Sequence, residues 1–445
     1  MMSGDKFPPI VLLKGTHKLL DGYHRWKAVL KWQEMKEKDD SLPAPPSEMD
    51  CEYHAVPEGV PPKLYAISLS ARHGLRPSAA DRKRIAREVY QSQVGLPTKV
   101  IARYLGVSAP TAANYVKDLV AEFEETKRSV IMRLDMLGWA QEEISSKLKE
   151  LFPVAKGASQ DRISHFLREN EDFNFRVKND LDKGLTSQTI AQRYNLPEIL
   201  VWALKLQGKS DQERMGELGI KIQPYDVWNF ARCHELFGGE YPGRIPGELV
   251  AHVLYFFTES GMTVLDPMAG SGTVPDVCLA MGRKCYAYDI DGRAERPDIL
   301  RHDLKTGWPE RIKKVNLIFW DPPYFEKKDK EATGGKEGYI ADSISGLDRD
   351  EYLAFFAQRL REVKQLAKKG TKLALLMSDW DDNTGEREGL FVWDYADLLR
   401  GAGLKIIRHI QVPLPTQLVH PDIVKKFRVK KRLARLERYL LIAEV

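Results

Sequence analysis

Beyond residue 240 the chain alternates apolar, strand-like runs with helical patterns, and this alternation restricts the fold more than any other feature. The runs read MTVLDPM, KCYAYDI, VNLIFWD, KLALLMSD, KIIRHIQV and YLLIAEV, with helical stretches such as DEYLAFFAQRLREVKQLAKKG between them. Such an order argues for an open, mainly parallel sheet with helices on both faces. Ligands of these sheets sit beyond the carboxyl ends of the central strands. The residues just after each strand are therefore where chemistry is expected.

Two strand ends are unusual. VLDPMAGSGTV, Val264 to Val274, ends in a turn whose Gly270 and Gly272 let backbone approach a ligand where a side chain would collide. A glycine turn alone is weak evidence, because many dinucleotide folds have one. Asp289, however, ends the next strand, where an acidic residue suits a ribose diol. Asp303, in RHDL, follows another strand and can accept the amino group of an adenine ring. The second unusual end is NLIFWDPPYFEKKDK, Asn316 to Lys330, where an apolar run stops at a carboxylate, two prolines and an aromatic. Two successive prolines donate no backbone hydrogen bond but leave their carbonyls free.

Here the chain resembles the amino-methylating DNA methyltransferases that use S-adenosylmethionine. DPMAGSGT is similar to their cofactor loop, DPPY (Asp321 to Tyr324) to their catalytic motif, and YPGRIPGELV to the segment holding the methionine end. The resemblance covers about Tyr241 to the C-terminus and implies a Rossmann-like class I methyltransferase fold. It implies S-adenosylmethionine contacts at Arg244, Ile245, Asp266, Met268, Ala269, Gly270, Gly272, Thr273, Asp289, Ile290, Asp303 and Leu304. It also gives Asp321, Pro322, Pro323 and Tyr324 the catalytic role. An exocyclic amine is a poor nucleophile because its lone pair delocalises into the ring. Asp321 and the Pro322 carbonyl would each accept one N–H of an extruded base, with Tyr324, or Phe325 beside it, as a stacking face. A direct displacement of this kind needs no catalytic cysteine. The Asp before the prolines favours adenine N6 over cytosine N4, again by resemblance.

No large target-recognition insert fits between the cofactor loop and DPPY or in the remaining tail, so sequence reading is expected upstream, aided by the 325–346 loop. Residues 86–210 contain an internal repeat beginning at Gly95, Gly138 and Gly184: glycine, a cap-like polar residue, a short helix with a buried Ile, a turn and a second helix. That is the pattern of a helix-turn-helix, whose second helix can enter the DNA major groove. The first copy fits best. Ile101, Ala102 and Leu105 form its core, Gly106 turns, and Ser108 caps a helix expected to expose Ala109, Thr111, Ala112, Asn114 and Lys117. Ser108, Thr111, Asn114 and Lys117 are the candidate DNA contacts. The second copy carries an insertion in its turn, and the third lacks polar base-reading side chains. Helical pairs of this kind also serve as packing or dimer modules, which leaves a homodimer open.

Residues 1–85 read as strand, turn at Asp21-Gly22, helix, strand and two further helices. LLDGYHRWKA and ARHGLRPSAADRKR resemble the N-terminal α+β domain of the ParB family, which implies Gly22, Arg25, Arg72 and Arg76 as phosphate contacts for a nucleotide, or a purely structural or docking role. The expected organisation is thus a ParB-like domain (1–85), an all-α helix-turn-helix region (86–210), a polar linker (211–240) and a methyltransferase domain (241–445).

Bulk properties agree with a multi-domain protein acting in the cytoplasm of a bacterium, or encoded by its phage. The 445 residues exceed one ordinary core, and at 43% hydrophobic and 29% charged the composition is that of a globular protein. No apolar run spans a bilayer and no signal-peptide pattern opens the chain. The four cysteines are widely spaced, so neither Cys51 with His54 nor Cys233 with His234 has the partner pair of a metal site. The net charge of +5 is mild, but KKFRVKKRLARLERY concentrates cations, including Arg438, as either a solvated helix face or a phosphate-contacting surface.

The expected partner is duplex DNA, and the leading reading is a site-specific DNA methyltransferase. Its alternatives are a cytosine N4 enzyme, methylation of RNA or of a protein glutamine, and a ParB-like DNA-binding regulator whose methyltransferase domain no longer catalyses.

Overall fold

The run Val315–Trp320 forms the buried middle of a seven-stranded sheet in the computed structural model of the chain. The structure describes residues 8–72, 77–152, 160–230, 233–240, 244–291, 296–310, 312, 314–325, 343–380, 389–413, 421–429, 431, 433 and 436–445. They fall into two units, one within residues 1–128 and 145–162, the other within 129–144 and 163–445.

In the first unit β1 (Ile10–Leu13), β2 (Leu19–Asp21) and β3 (Cys51–His54) form a sheet in the order β2-β1-β3, with β1 antiparallel to β2 and parallel to β3. Gly22 adopts φ 95° to turn the chain from β2 directly into α1 (Tyr23–Lys38), and a side chain there would strike Ile10. α2 (Pro62–Arg72) supplies Leu69 to a small core with Val11 and Leu20. α3 (Ala79–Ser92), α4 (Thr98–Leu105) and α5 (Ala109–Tyr115) gather a second core that includes Ile85, Val89, Tyr90, Ile101, Leu105 and Val116. Gly106, left-handed at φ 63°, ends α4, and the Ser108 hydroxyl accepts from the Thr111 N–H at 3.2 Å to start α5. Ala112, expected on the exposed face of α5, is fully buried. It belongs to the same cluster as Ala86 and Ile101, so a methyl is the side chain that fits there.

α6 (Lys117–Met136) and α7 (Gln141–Leu151) run through the boundary between the units, and residues 129–144 belong to the second. That segment is tied to the sheet. Leu137 accepts from the Cys285 N–H at 3.0 Å, the Trp139 indole donates to the Cys285 carbonyl at 3.1 Å, and Trp139 stacks on Tyr286. Three helices follow, α8 (Gln160–Asp182), α9 (Ser187–Tyr194) and α10 (Glu198–Leu206). The turn insertion of the second repeat, at residues 153–159, lies outside the described residues.

KSDQERMGELGIK, expected as linker, instead contains α11 (Asp211–Glu217). Ser210 and Glu213 form a reciprocal capping box at its start, Met215 is fully buried, and Asp211 pairs with the fully buried Arg283. Met215 is the one apolar side chain of this helix, which made the stretch look uniformly polar in sequence.

α12 (Gly247–Phe257), β4 (Thr263–Asp266), α13 (Thr273–Met281), β5 (Lys284–Asp289), β6 (Ile299–Arg301), β7 (Val315–Trp320), α14 (Arg349–Glu362), β8 (Ala367–Ser378), α15 (Val392–Gly401), β9 (Lys405–Gln411), α16 (Pro421–Val429) and β10 (Arg438–Glu444) complete the unit. The sheet runs β6-β5-β4-β7-β8-β10-β9. All its pairings are parallel except those of β10, which lies antiparallel between β8 and β9. This is a Rossmann-like mixed sheet. The chain proceeds outward from β4 through β5 to β6, then returns to the other side of β4 with β7 and β8. β4 and β7 therefore flank the topological switch point, where a crevice opens beyond their carboxyl ends. The two central strands are buried along most of their length, with Val264, Leu265, Leu317, Ile318, Phe319 and Trp320 in the core. Among the described residues no helix is long and apolar enough to cross a membrane, and no cluster of His, Cys, Asp or Glu is arranged to hold a metal.

Candidate active site

At the end of β4 the Asp266 carboxylate, 2% exposed, accepts from the Met268 N–H at 3.2 Å. Burial pushes its carboxyl well above the usual carboxylate range, and the neighbouring charges of Asp321 and Asp289 push the same way. The glycine turn is closed by hydrogen bonds from Ala269 N–H to the Tyr288 carbonyl (2.7 Å) and from Gly272 N–H to the Ala269 carbonyl (2.8 Å). Asp289, at the end of β5, accepts from the Gly270 N–H at 2.9 Å, so the acidic residue is bound to the turn itself.

Beneath the turn lies a charge network invisible in the sequence. Arg296 donates to the Ser271 carbonyl at 2.8 Å and to Asp276 and Asp298, while Arg133 donates to Asp276 at 2.7 Å and Asp298 at 3.2 Å. Gly272 takes φ 86° against the Arg296 guanidinium, which occupies the space a side chain would need. Burial alone would raise the Asp298 carboxyl, but Arg296 and Arg133 hold it well below the ordinary range. These four residues come from positions 133, 276, 296 and 298, and no sequence spacing links the first to the rest.

At the end of β7, Asp321 is half-buried and accepts from the Tyr324 hydroxyl at 3.1 Å. Burial lifts its carboxyl to about 7, against the pull of Arg438 and of the Tyr324 hydroxyl. The Pro323 carbonyl accepts from the Tyr352 hydroxyl at 3.0 Å, whereas no hydrogen bond among the described residues falls on the Pro322 carbonyl. Phe325, one of two expected stacking faces, is buried between Tyr352 and Trp380. Tyr324 is the aromatic left facing the cavity.

The two strand ends share one cavity of about 340 Å³. Arg244, Ile245, Asp266, Met268, Ala269, Gly270, Thr273, Asp289, Ile290, Asp303, Leu304, Asp321, Pro322, Pro323 and Tyr324 line it. Gly272 does not; it faces Arg296 instead. Arg244 donates to the His234 carbonyl, and Asp303 caps a short turn by accepting from the Lys305 N–H at 2.9 Å. His302, Lys305, Ser343, Ile344 and Arg438 also line the cavity and were not singled out for this site from the sequence. His302 and Lys305 flank the quoted Asp303, and Arg438 lay within the basic run. Ser343 and Ile344 fall in the 325–346 loop, which was expected to aid DNA reading rather than to line this cavity.

Arg438 begins β10 and is 7% exposed, so it belongs neither to a solvated helix face nor to a phosphate-contacting surface. The helix of the basic run, α16, ends at Val429.

In the first unit Ser108, Asn114 and Lys117 are exposed and Thr111 is half-buried, its hydroxyl 2.7 Å from that of Ser108. Arg25 pairs with Asp21 at 2.8 Å and donates to the carbonyls of Pro8 and Pro9. The Arg72 side chain, Arg76 and most of the 325–346 loop lie outside the described residues.

A family model described as DNA methylase matches residues 119–297, a span that contains the glycine turn and ends before Asp321. The Type II methyltransferase M2.DpnII of Streptococcus pneumoniae is 28% identical over 173 residues, 37% of this chain and 59% of that protein. The DNA adenine methyltransferase YhdJ of Escherichia coli (strain K12) is 30% identical over 95 residues, 21% of this chain and 32% of that protein. The chain thus spans about half the length, or less, of these relatives. Among solved structures, TrmN from Thermus thermophilus is 18% identical, with 45% of this chain and 49% of that one covered at a TM-score of 0.28. Through residues 119–297 the chain matches the DNA methylase family of the N6 and N4 type.

Proposed function

We propose that this protein methylates the exocyclic amine of a base extruded from duplex DNA, adenine N6 in the first instance, using S-adenosylmethionine. The observation that carries the reading is that Asp321 and the Gly270 turn line one cavity at the sheet's switch point. The residues present fit the cofactor. Asp289 and Asp303 suit a ribose diol and an adenine amino group, and Ile290 and Leu304 offer apolar contact. When bound, S-adenosylmethionine supplies an electrophilic methyl group.

The chain's own residues make the amine receptive. Asp321 accepts one N–H of the base and the unengaged Pro322 carbonyl the other, which draws the nitrogen lone pair away from the ring and fixes its direction. Tyr352 holds the Pro323 carbonyl, so of the two proline carbonyls only that of Pro322 is left open among the described residues. A carboxyl near 7 is also matched to take up the proton the amine sheds on methylation. Tyr324 provides the flat face. The match to DNA methylases, and to YhdJ, a DNA adenine methyltransferase, supports an adenine target.

DNA reading is assigned to the first helical pair, α4 and α5, and the start of α6, through Ser108, Asn114 and Lys117, with Thr111 engaged partly in capping. For the ParB-like segment we favour a structural role over nucleotide binding, because Arg25 already has three internal partners. The organisation offered is a DNA-reading N-terminal part with a C-terminal catalytic domain, acting in the cytoplasm.

Label from S-adenosylmethionine offered with duplex DNA, RNA and protein tests the reading. Transfer to DNA by wild type and not by Asp321→Ala supports it. A cofactor-binding protein that labels nothing favours the regulator, and label in RNA or protein redirects the substrate.

A further inference from the structure

The DPPY segment is tied to one helix, α14, before, within and after the motif. Before it, Trp320 at the end of β7 stacks on Phe356, with ring centroids 4.9 Å apart. After it, Phe325 meets Tyr352 edge-on at 5.2 Å. Within it, the Tyr352 hydroxyl donates to the Pro323 carbonyl at 3.0 Å. Trp320, Tyr352 and Phe356 are fully buried, and Phe325 is nearly so. The helix start is itself fixed: Asp348 and Glu351 form a reciprocal capping box, and the Tyr352 N–H donates to the Asp348 carbonyl at 2.9 Å. A phenylalanine at residue 352 would fill the same space between Phe325 and Phe356. The hydroxyl adds only its bond to Pro323, and buried without that bond it would cost stability.

We propose that Tyr352 is a positioning residue of the methyl-transfer site: by holding the Pro323 carbonyl it fixes the direction in which Tyr324 leaves the loop, and with it the stacking face for the base and the seat of Asp321. The inference rests on the amine-methylation reading above. A proline ring restricts its own φ, so the chain from Pro322 to Tyr324 turns mainly about the ψ angles of the two prolines. The ψ angle of Pro323 orients its carbonyl and the start of Tyr324 together, because both belong to one planar peptide. A hydrogen bond on that carbonyl therefore sets Tyr324. The restraint reaches the acceptor, since the Tyr324 hydroxyl donates to Asp321 Oδ1 at 3.1 Å. Trp320 on Phe356 holds the other end, and the Pro322 carbonyl between the two anchors stays open to the amine among the described residues. Trp380, on the far side of Phe325 at 4.8 Å, packs on the loop without bonding either proline carbonyl. Tyr352 does not line the cavity, so it acts on a substrate only through the loop.

The test compares wild type, Tyr352→Phe, Tyr324→Phe and the double variant, each as the full chain, in single-turnover methyl transfer to duplex DNA. Rates are taken per molecule that binds S-adenosylhomocysteine, counted by calorimetry. Wild type must first transfer label; if it does not, the amine-methylation reading falls and takes this proposal with it. Given wild-type transfer, Tyr352→Phe is expected to lower the saturated rate by about 10- to 100-fold, with affinity for S-adenosylhomocysteine kept within about threefold. A role in folding alone would lower the melting temperature and the binding-competent fraction and leave the rate per competent molecule unchanged. The double variant is expected to lose less than the product of the two single losses, because both changes act on one loop. Should Tyr352→Phe fail to fold, Phe325→Leu, which loosens the ring beneath the hydroxyl, decides by the same rate and affinity, with a severalfold loss of rate expected. A per-molecule rate within about twofold of wild type, single losses that multiply in the double variant, or a cofactor affinity that falls in step with the rate overturns the proposal.

Discussion

Leu265 stands opposite Ile318 in parallel register, and that pairing brings the turn after β4 and the turn after β7 to the same rim of the sheet. Asp266 ends one strand, and Asp321, three residues beyond Ile318, follows the other. Two motifs more than fifty residues apart thereby share one cavity.

Removing the acceptor at the β7 end is expected to stop chemistry without emptying the site. Asp321→Ala should lower the single-turnover rate by roughly 10²–10⁴-fold, the range for a positioned proton acceptor. Calorimetric affinity for S-adenosylhomocysteine should change little. Loss of both together would mean that residue 321 serves cofactor binding instead.

The raised Asp321 carboxyl also has a stability consequence. Its folded value of about 7 lies above the ordinary value of 3.8, so the folded state binds a proton that the unfolded state has released between those limits. Stability contributed by this group is therefore present in acid and lost as pH rises through about 4 to 7. Asp321→Asn should melt above wild type at pH 8, with the difference shrinking by pH 5. Thermal melts at the two pH values measure it; an equal difference at both would contradict the assignment.

The network under the glycine turn predicts that Arg133→Met, in a segment far from any motif, will cost on the order of 3 kcal/mol by leaving two buried aspartates to share Arg296. Denaturant titration reads the loss. A variant within about 0.5 kcal/mol of wild type would show the network to be energetically idle.

Gly272→Ala should weaken the cofactor site indirectly. The residue sits at φ 86° against Arg296, so a methyl strains the backbone and displaces the guanidinium, at a cost of about 1–3 kcal/mol. Affinity for S-adenosylhomocysteine should fall at least severalfold, although residue 272 does not line the cavity.

Lys117→Ala, at the start of α6, should weaken duplex binding and reduce the salt slope by about one, while Asn114→Ala, on α5, should lower discrimination between sites more than overall affinity. Both positions are exposed, so melting temperatures should hold. Unchanged DNA affinity in both would move DNA reading elsewhere in the chain.

The sheet was legible because buried parallel strands write themselves as unbroken apolar runs, and the cavity because glycines and carboxylates at strand ends have few other uses. Three things were not. The α11 helix hides its buried Met215 and Arg214 among polar neighbours, and its partner Arg283 lies seventy residues away. Ala112 looked exposed because a small residue on a short helix suits either face; packing on Ile101 and Ala86 decided it. Arg438 read as one more cation in a basic run, since only the antiparallel return of β10 carries it to the cavity wall.

The central claim is most directly tested by nucleoside mass spectrometry of plasmid DNA from cells free of other DNA methylation, expressing either wild type or Asp321→Ala. The account predicts N6-methyladenine with wild type and only the background level with the variant. Unmodified DNA from cells containing folded, cofactor-binding wild type, or equal modification by both proteins, would contradict it.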